Sequence, residues 1–494
     1  MNPVSFGDQP PPIESAPDRD CAPASVRNGL ATHRLKLLPL ICLMYLTVSG
    51  GAYGIEDAVR IAGPRLALLL CLAVPLLLSL PTALMAAELT ALIPAQGGFY
   101  QWVKEAFGPF AGFAEVYLTI LYTAVDMAIY PVLFSAYLSF LIPLNAMAQA
   151  GLGIVLVWIA GLLNLLGIRP VGRTSVALTF ILLLPFAAMV LLGSPHLLHW
   201  RPPGGQLAGH DFLGTLGGGL SVVIWNFCGW ENLSVVAAEI HEPRRNYLRA
   251  IGIAMPIVIL GYLLPLAVAL NGASSGAGWQ TGSFARAGAA IGGPLLGVAI
   301  GIGGAIGSFA IFEAAMLWVS RMPYVLASEN YLPKALAEVW RSRAPAKSIL
   351  LCCLIFTLLV PLGFVTLVVL DVFFYMGALM LEMAALVKLR RLQPSRTGLF
   401  VIGGGRLGLA AVVIAPILVW LATFGLALSQ SPGHQDFVIA IILALAVWPV
   451  YSFCRRRYGG PAQASSTRAI FAPIQIEQRE SGDHQRVRDL AGRD

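Results

Sequence analysis

The run VSGGAYGIED, Val48 to Asp57, decides how this chain is read. It interrupts an apolar stretch, residues 37–62, that is otherwise long enough to cross a bilayer. Three glycines weaken a helix there, and backbone groups left unpaired in lipid cost several kcal/mol each. Two adjacent carboxylates follow, Glu56 and Asp57, and a carboxylate at mid-membrane adds at least ~2.5 kcal/mol. A break this unfavourable needs an offset, and a bound polar or charged ligand supplies one.

The bulk composition agrees with a bilayer as solvent. Of 494 residues 57% are hydrophobic and only 12% charged, with mean hydropathy +0.76. Soluble domains carry about 25% charged residues, so the chain reads as an all-α polytopic membrane protein. Residues 1–36 and 458–494 read as polar cytoplasmic tails, the first Pro-rich and disordered, with no signal-peptide core. The seven cysteines show no CxxC and no secreted spacing, and the seven histidines fall in tails or loops. Neither a disulfide framework, a metal site nor a haem is expected, and no cofactor is implied. The absence of G-x-x-x-x-G-K-[ST] and of HExxH argues against an enzyme or a single-chain ATP-driven pump.

Apolar segments predict twelve transmembrane helices: 37–62, 65–90, 109–140, 148–167, 173–193, 215–240, 249–270, 287–320, 348–367, 368–389, 408–428 and 435–454. With both termini cytoplasmic, 28 of the 32 Lys and Arg fall on the cytoplasmic side, leaving Arg60, Arg65, Arg201 and Arg286 outside. The net charge of +7 is thus a topology signal and needs no nucleic-acid partner. The setting expected is the cell (inner) membrane, with the lipid bilayer as partner.

A second interruption answers the first. In LGGGLSVVIWNFCGWENLSVVAAEI, Leu216 to Ile240, Asn226 and Gly229 break the apolar run just before Glu231. It lies in the sixth segment, as VSGGAYGIED lies in the first. Matched breaks five helices apart point to two inverted repeats, with a binding site where the breaks meet. Acids collect in or at the ends of the segments: Glu56, Asp57, Glu88, Glu115, Asp126, Glu231, Glu239, Glu313, Asp371 and Glu382. Glu88, Glu239 and Glu382, near cytoplasmic ends, and Asp371, at an outer end, read as interfacial. No base is expected deep in any helix, and unpaired carboxylates in low dielectric either hold a proton or await a cation. Glu115 and Asp126 are eleven residues apart, so they share a helix face roughly 16 Å apart along the axis. Tyr122 and Tyr130 flank Asp126 on that face, and aromatic walls between spaced carboxylates suit an extended polycation.

At these residues the chain resembles the amino acid–polyamine–organocation superfamily, and within it the proton-coupled polyamine uptake permeases. Besides VSGGAYGIED, the resemblance rests on ELTALIPAQGGFYQWVKEAFGPFAGF (Glu88–Phe113), VDMAIYPVLFSAYL (Val125–Leu138), WNFCGWENLSVVAAEIHEPRRNYLRA (Trp225–Ala250), FEAAM (Phe312–Met316) and FFYMGALMLEMAALVKLR (Phe373–Arg390). It implies a LeuT-type 5+5 inverted repeat, 37–193 and 215–389, with discontinuous helices 1 and 6 and two additional helices over 408–454. It implies a secondary active transporter taking up a small cationic substrate, a polyamine, with a proton by alternating access. The alternative is an amino acid permease or exchanger, whose substrate carboxylate the amides of Ser49–Gly54 could meet. Departures from the family are Glu231 in place of an aspartate, FEAAM in place of FEAEM, and no base in Thr174–Gly193. The expected substrate-binding set is Ser49, Gly50, Gly51, Gly54, Asp126, Tyr130, Trp225, Asn226, Trp230, Glu231 and Glu313, with Trp225 as a gate carried over from the resemblance. Glu88, Glu115 and Glu313 are the proton-coupling candidates.

Overall fold

A chain this apolar has to satisfy its backbone hydrogen bonds internally, and it does so with helices. The computed structural model describes residues 34–460 apart from 143, 199–211, 273–277, 281, 361–364, 393–399 and 431–434. Most of the two expected tails therefore lies outside the described residues. Apart from one parallel bridge, Leu35 to Ile240, the described residues form no strand.

Helix α1 (Leu37–Val48) stops where Ser49 turns extended, φ −146° and ψ 131°. Gly51 then takes φ 99°, a left-handed value that only glycine adopts without strain. The helix resumes as α2 (Glu56–Val74), and Gly63 at φ 77° and ψ 162° divides α2 in two. Its first part completes the first segment, and Pro64 starts the second. A π-helical turn, Pro75–Ser79, leads to α3 (Leu80–Leu92). Then come α4 (Phe99–Phe107), α5 (Pro109–Leu141), α6 (Ala146–Leu165) and α7 (Ile168–Leu198). Helix α8 (Phe212–Phe227) precedes the second break and the 3-10 stretch Asn232–Glu239. The rest are α9 (Pro243–Gly272), α10 (Ser283–Gly292), α11 (Pro294–Val319), α12 (Arg321–Ser328), α13 (Ala346–Leu359), α14 (Val365–Leu392), α15 (Gly405–Gln430), α16 (Gln435–Leu445) and α17 (Val447–Tyr458). Among the described residues nine helical stretches are long and apolar enough to cross a membrane, and Leu37–Val48 and Ala346–Leu359 are shorter apolar helices. This is a multi-pass membrane protein.

Among the differences from the sequence reading, three bear on the reading of breaks and loops. Asn226 stays inside α8, its side-chain amide donating to the Val222 carbonyl at 2.8 Å, and the chain leaves the helix at Cys228–Glu231, with Gly229 at φ 95°. The segment expected at 287–320 is two helices, α10 and α11, parted at Gly293. His196 lies within α7 and not in a loop.

Helix α11 packs on α5 and α7, α14 packs on α5, and α2 packs on α8. A side chain at Gly307 of α11 would lie 2.5 Å from the Gly50 carbonyl, so the glycine seats α11 against the first break. The IPAQGG loop clamps the sixth segment: the Gly97 N–H donates to the Val235 carbonyl at 2.9 Å, and Gln96 donates to Glu239 at 3.2 Å. One expectation is overturned. Arg321 is fully buried and pairs with Glu239 at 3.2 Å, so a base does sit deep among the helices. Ser320 keeps helical angles between α11 and α12, which places Arg321 inside a continuous 35-residue stretch, Pro294–Ser328, and not at its end.

Candidate functional site

The two breaks meet. A side chain at Gly54 would touch Trp225 at 3.1 Å and Asn226 at 3.2 Å, and one at Gly229 would lie 3.3 Å from the Thr47 carbonyl. Between them lies a cavity lined by α1, α5, α8, α9, α11, α14 and the breaks themselves. Two carboxyls enter it, Asp126 from α5 and Asp371 from α14, within electrostatic reach of each other. Aromatic rings form its walls: Tyr122, Tyr130, Trp225, Trp318 and Tyr375 among them. No Lys, Arg or His lines it among the described residues.

Asp126 is held by its aromatic neighbours. The Trp225 indole N–H donates to Oδ1 at 2.9 Å, and the Tyr130 hydroxyl lies 2.9 and 2.8 Å from the two carboxyl oxygens. The two rings stack at 6.0 Å between centroids. Asp371, only 3% exposed, has one oxygen with no hydrogen-bond partner among the described residues. The free space is about 50 Å³, room for a few waters. A longer ligand therefore requires the rings to move.

Of the expected residues, Gly50, Asp126, Tyr130, Trp225 and Asn226 line this cavity. Ser49, Gly51 and Gly54 shape the break beside it, the Gly51 N–H donating to the Ser49 hydroxyl at 3.3 Å. Trp230, Glu231 and Glu313 are not among the lining residues. Trp230 is fully buried, with its indole N–H on the Phe227 carbonyl at 3.0 Å, a scaffold arrangement. Glu313 accepts from the Thr174 hydroxyl at 2.6 Å, and its other oxygen has no partner among the described residues. Glu231 lies one layer away from the cavity, where the Tyr375 hydroxyl donates to it at 3.5 Å. Glu115 and Glu382 share that layer within electrostatic reach of Glu231, each with one unpartnered oxygen among the described residues. Thr119 donates to the other oxygen of Glu115 at 2.8 Å. Glu88 stands apart, bound by Arg390 through Nε, at 2.7 Å, and Nη2, and by the Ile402 N–H at 2.8 Å.

The sequence reading missed Asp371 and Glu382, taken for interfacial acids, and the lining residues Asn232, Tyr375, Trp318 and Cys228. For Asp371 a signal existed: Tyr375 follows it by four residues, as Tyr130 follows Asp126. The carboxyls of VSGGAYGIED turn out to have partners within the protein. Glu56 accepts the N–H groups of Gly282 and Phe284, both at 3.1 Å, at the start of α10, and the Tyr137 hydroxyl at 3.3 Å. Asp57 pairs with Arg60 at 2.9 Å. No group of three or more metal-binding side chains occurs among the described residues.

Comparison with known proteins places this geometry in context. The amino acid permease family model matches residues 35–447. A probable polyamine transporter of Arabidopsis thaliana is 30% identical over 91% of this chain and 94% of its own length. The polyamine transporter RMV1 of Arabidopsis thaliana is 31% identical over 87% of this chain and 88% of its own. The polyamine transporter PUT1 of Oryza sativa subsp. japonica is 31% identical over 89% and 82%.

Proposed function

The chain belongs to the amino acid permease family, and from that membership we propose that it is a secondary active transporter that takes up polyamines together with protons. The observation that carries this reading is the cavity with two carboxyls on facing helices, aromatic walls and no basic lining residue among those described. A polyamine is a chain of ammonium groups separated by methylenes. Its charges suit Asp126 and Asp371, and its methylenes suit the tyrosine and tryptophan faces. Trp225 and Tyr130, which satisfy Asp126 now, exchange those bonds for an ammonium group as the cavity widens. Gly50 and Asn226 also line the cavity, and Ser49, Gly51 and Gly54 hold the break open beside it. Tyr375 borders the cavity and bonds Glu231, so it links the substrate layer to the acids beyond.

The architecture that accompanies this function is the LeuT-type 5+5 inverted repeat, residues 37–193 and 215–389, with two further helices and twelve spans in all. Both termini are then cytoplasmic, in the cell membrane. Glu115 and Glu313, each buried with an unpartnered oxygen among the described residues, are the proton carriers in this reading. Glu88 is left out because Arg390 occupies it.

Uptake of putrescine, spermidine and leucine into proteoliposomes under an imposed proton gradient tests the reading. The two amines are taken up without sodium. Charge-assisted hydrogen bonds contribute about 1.5–3 kcal/mol, so Asp126→Asn and Asp371→Asn each weaken amine binding roughly tenfold to a hundredfold. The loss is greater for the triamine than for the diamine. Uptake of leucine with no uptake of either amine would establish an amino acid permease instead.

A further inference from the structure

Where α6 turns into α7, a second cavity of about 330 Å³ opens, separate from the acidic one. Arg169, Arg173 and Arg343 line it, with the Gly167 turn, Ser342 and Glu239. Arg169 and Arg173 stand four residues apart in the first two turns of α7 and so share a face. Both are exposed, and neither has an acidic partner among the described residues. Helix α7 carries no acid in its first turn. A helix start is already positive, so two arginines there add to a field that nothing on α7 offsets.

The positive-inside rule accounts for arginines at a helix end, but not for their converging with a third from a distant loop. Arg343 comes from that loop, held at φ 62° with its N–H on the Trp340 carbonyl at 2.9 Å. The loop is pressed onto the turn: a side chain at Gly167 would lie 2.7 Å from the Ser342 carbonyl. The Ser342 hydroxyl is buried without a partner among the described residues. The one acid in the lining, Glu239, is already bound by Arg321 and Gln96.

We propose that this cavity binds a phosphate-bearing anion, a lipid headgroup or a soluble phosphate, between its guanidinium groups. Planar guanidinium forks match phosphate oxygens, and the cavity lies between two membrane-spanning helices at their ends, where headgroups reside. The ligand joins the α6–α7 turn, the 340–345 loop and the end of the sixth segment, so it acts as a brace.

The test is thermal unfolding of the full chain in nanodiscs of phosphatidylcholine, with and without phosphatidylglycerol, and in detergent titrated with inorganic phosphate. Wild-type protein is stabilised by phosphatidylglycerol, and by inorganic phosphate too if the phosphate group alone suffices. Arg173→Gln and Arg343→Gln weaken that response roughly tenfold, whereas Arg173→Lys, which keeps the charge for membrane orientation, falls between. Should a Gln variant fail to fold, the Lys variant carries the comparison. Arginines that serve orientation only would leave wild type indifferent to both ligands, or the variants responding as wild type does, and either result overturns the proposal.

Discussion

Single carboxyls in this protein differ by what surrounds them, and chain position alone hides the difference. Glu88 and Glu115 both fall in apolar helical sequence, yet Arg390 clasps the first, while among the described residues the second accepts a hydrogen bond from Thr119 alone. Their variants should therefore part company. Removing one partner of a buried ion pair costs about 3–5 kcal/mol, so Glu88→Gln lowers the thermal stability and the yield of folded protein. Glu115→Gln keeps the acceptor for Thr119 and removes an exchangeable proton. It is expected to fold with wild-type stability, still to exchange substrate, and to lose accumulation driven by a proton gradient. Measuring unfolding, exchange and gradient-driven uptake in the same preparations separates the two. A Glu115→Gln protein that concentrates substrate normally would remove that residue from coupling. Asp126 was legible because Tyr130 and Tyr122 mark its face at helical spacing. Asp371 carries the same mark in Tyr375 but was read as a helix end, since a hydropathy count sees an acid six residues into a helix that way, while the structure carries α14 back to Val365.

Elements were easier to read where glycine and acid coincide inside an apolar run. Both breaks were visible, because glycine and carboxylate fall together at matching places, in the first and the sixth segment. The second was displaced by two residues, since Asn226 looks like a helix breaker but bonds back to its own helix. The 3-10 form of Asn232–Glu239 had no signal in hydropathy; contacts from the IPAQGG loop accompany it, and these are tertiary. At this scale bulk is the sensitive variable. Gly51→Val forces a β-branched residue to φ 99° against Tyr53 and Phe186. The variant is expected to insert and abolish uptake, read as normal surface expression without transport. Gly98→Ala meets the backbone of Ser234 as well as its side chain. It loosens the clamp on the sixth segment, and its expected result is partial uptake with faster proteolysis of the 3-10 stretch. Wild-type uptake by Gly51→Val would discard the broken-helix mechanism.

Across the whole molecule, ion pairs tie parts far apart in sequence, and the pair of Glu239 with Arg321 joins three of them. Glu239 ends the sixth segment, Arg321 follows α11, and Gln96 belongs to the loop after α3. Composition announced a membrane protein at once, but the pairing of Arg321 lay beyond it, because a hydropathy window cannot see a helix continue through Ser320. Glu239→Gln strands a buried guanidinium and is expected to destabilise the fold by about 3–5 kcal/mol. Arg321→Met combined with Glu239→Gln recovers much of that loss in a denaturation series; two single losses that simply add would deny the coupling. Cys228 has a different use. It borders the acidic cavity, while the other cysteines among the described residues are buried away from it. A small thiol-reactive cation is expected to reach its sulfur as the cavity widens. Alkylation at that one atom, counted by mass spectrometry against time, thus works as a clock for cavity opening, and a saturating polyamine should slow it.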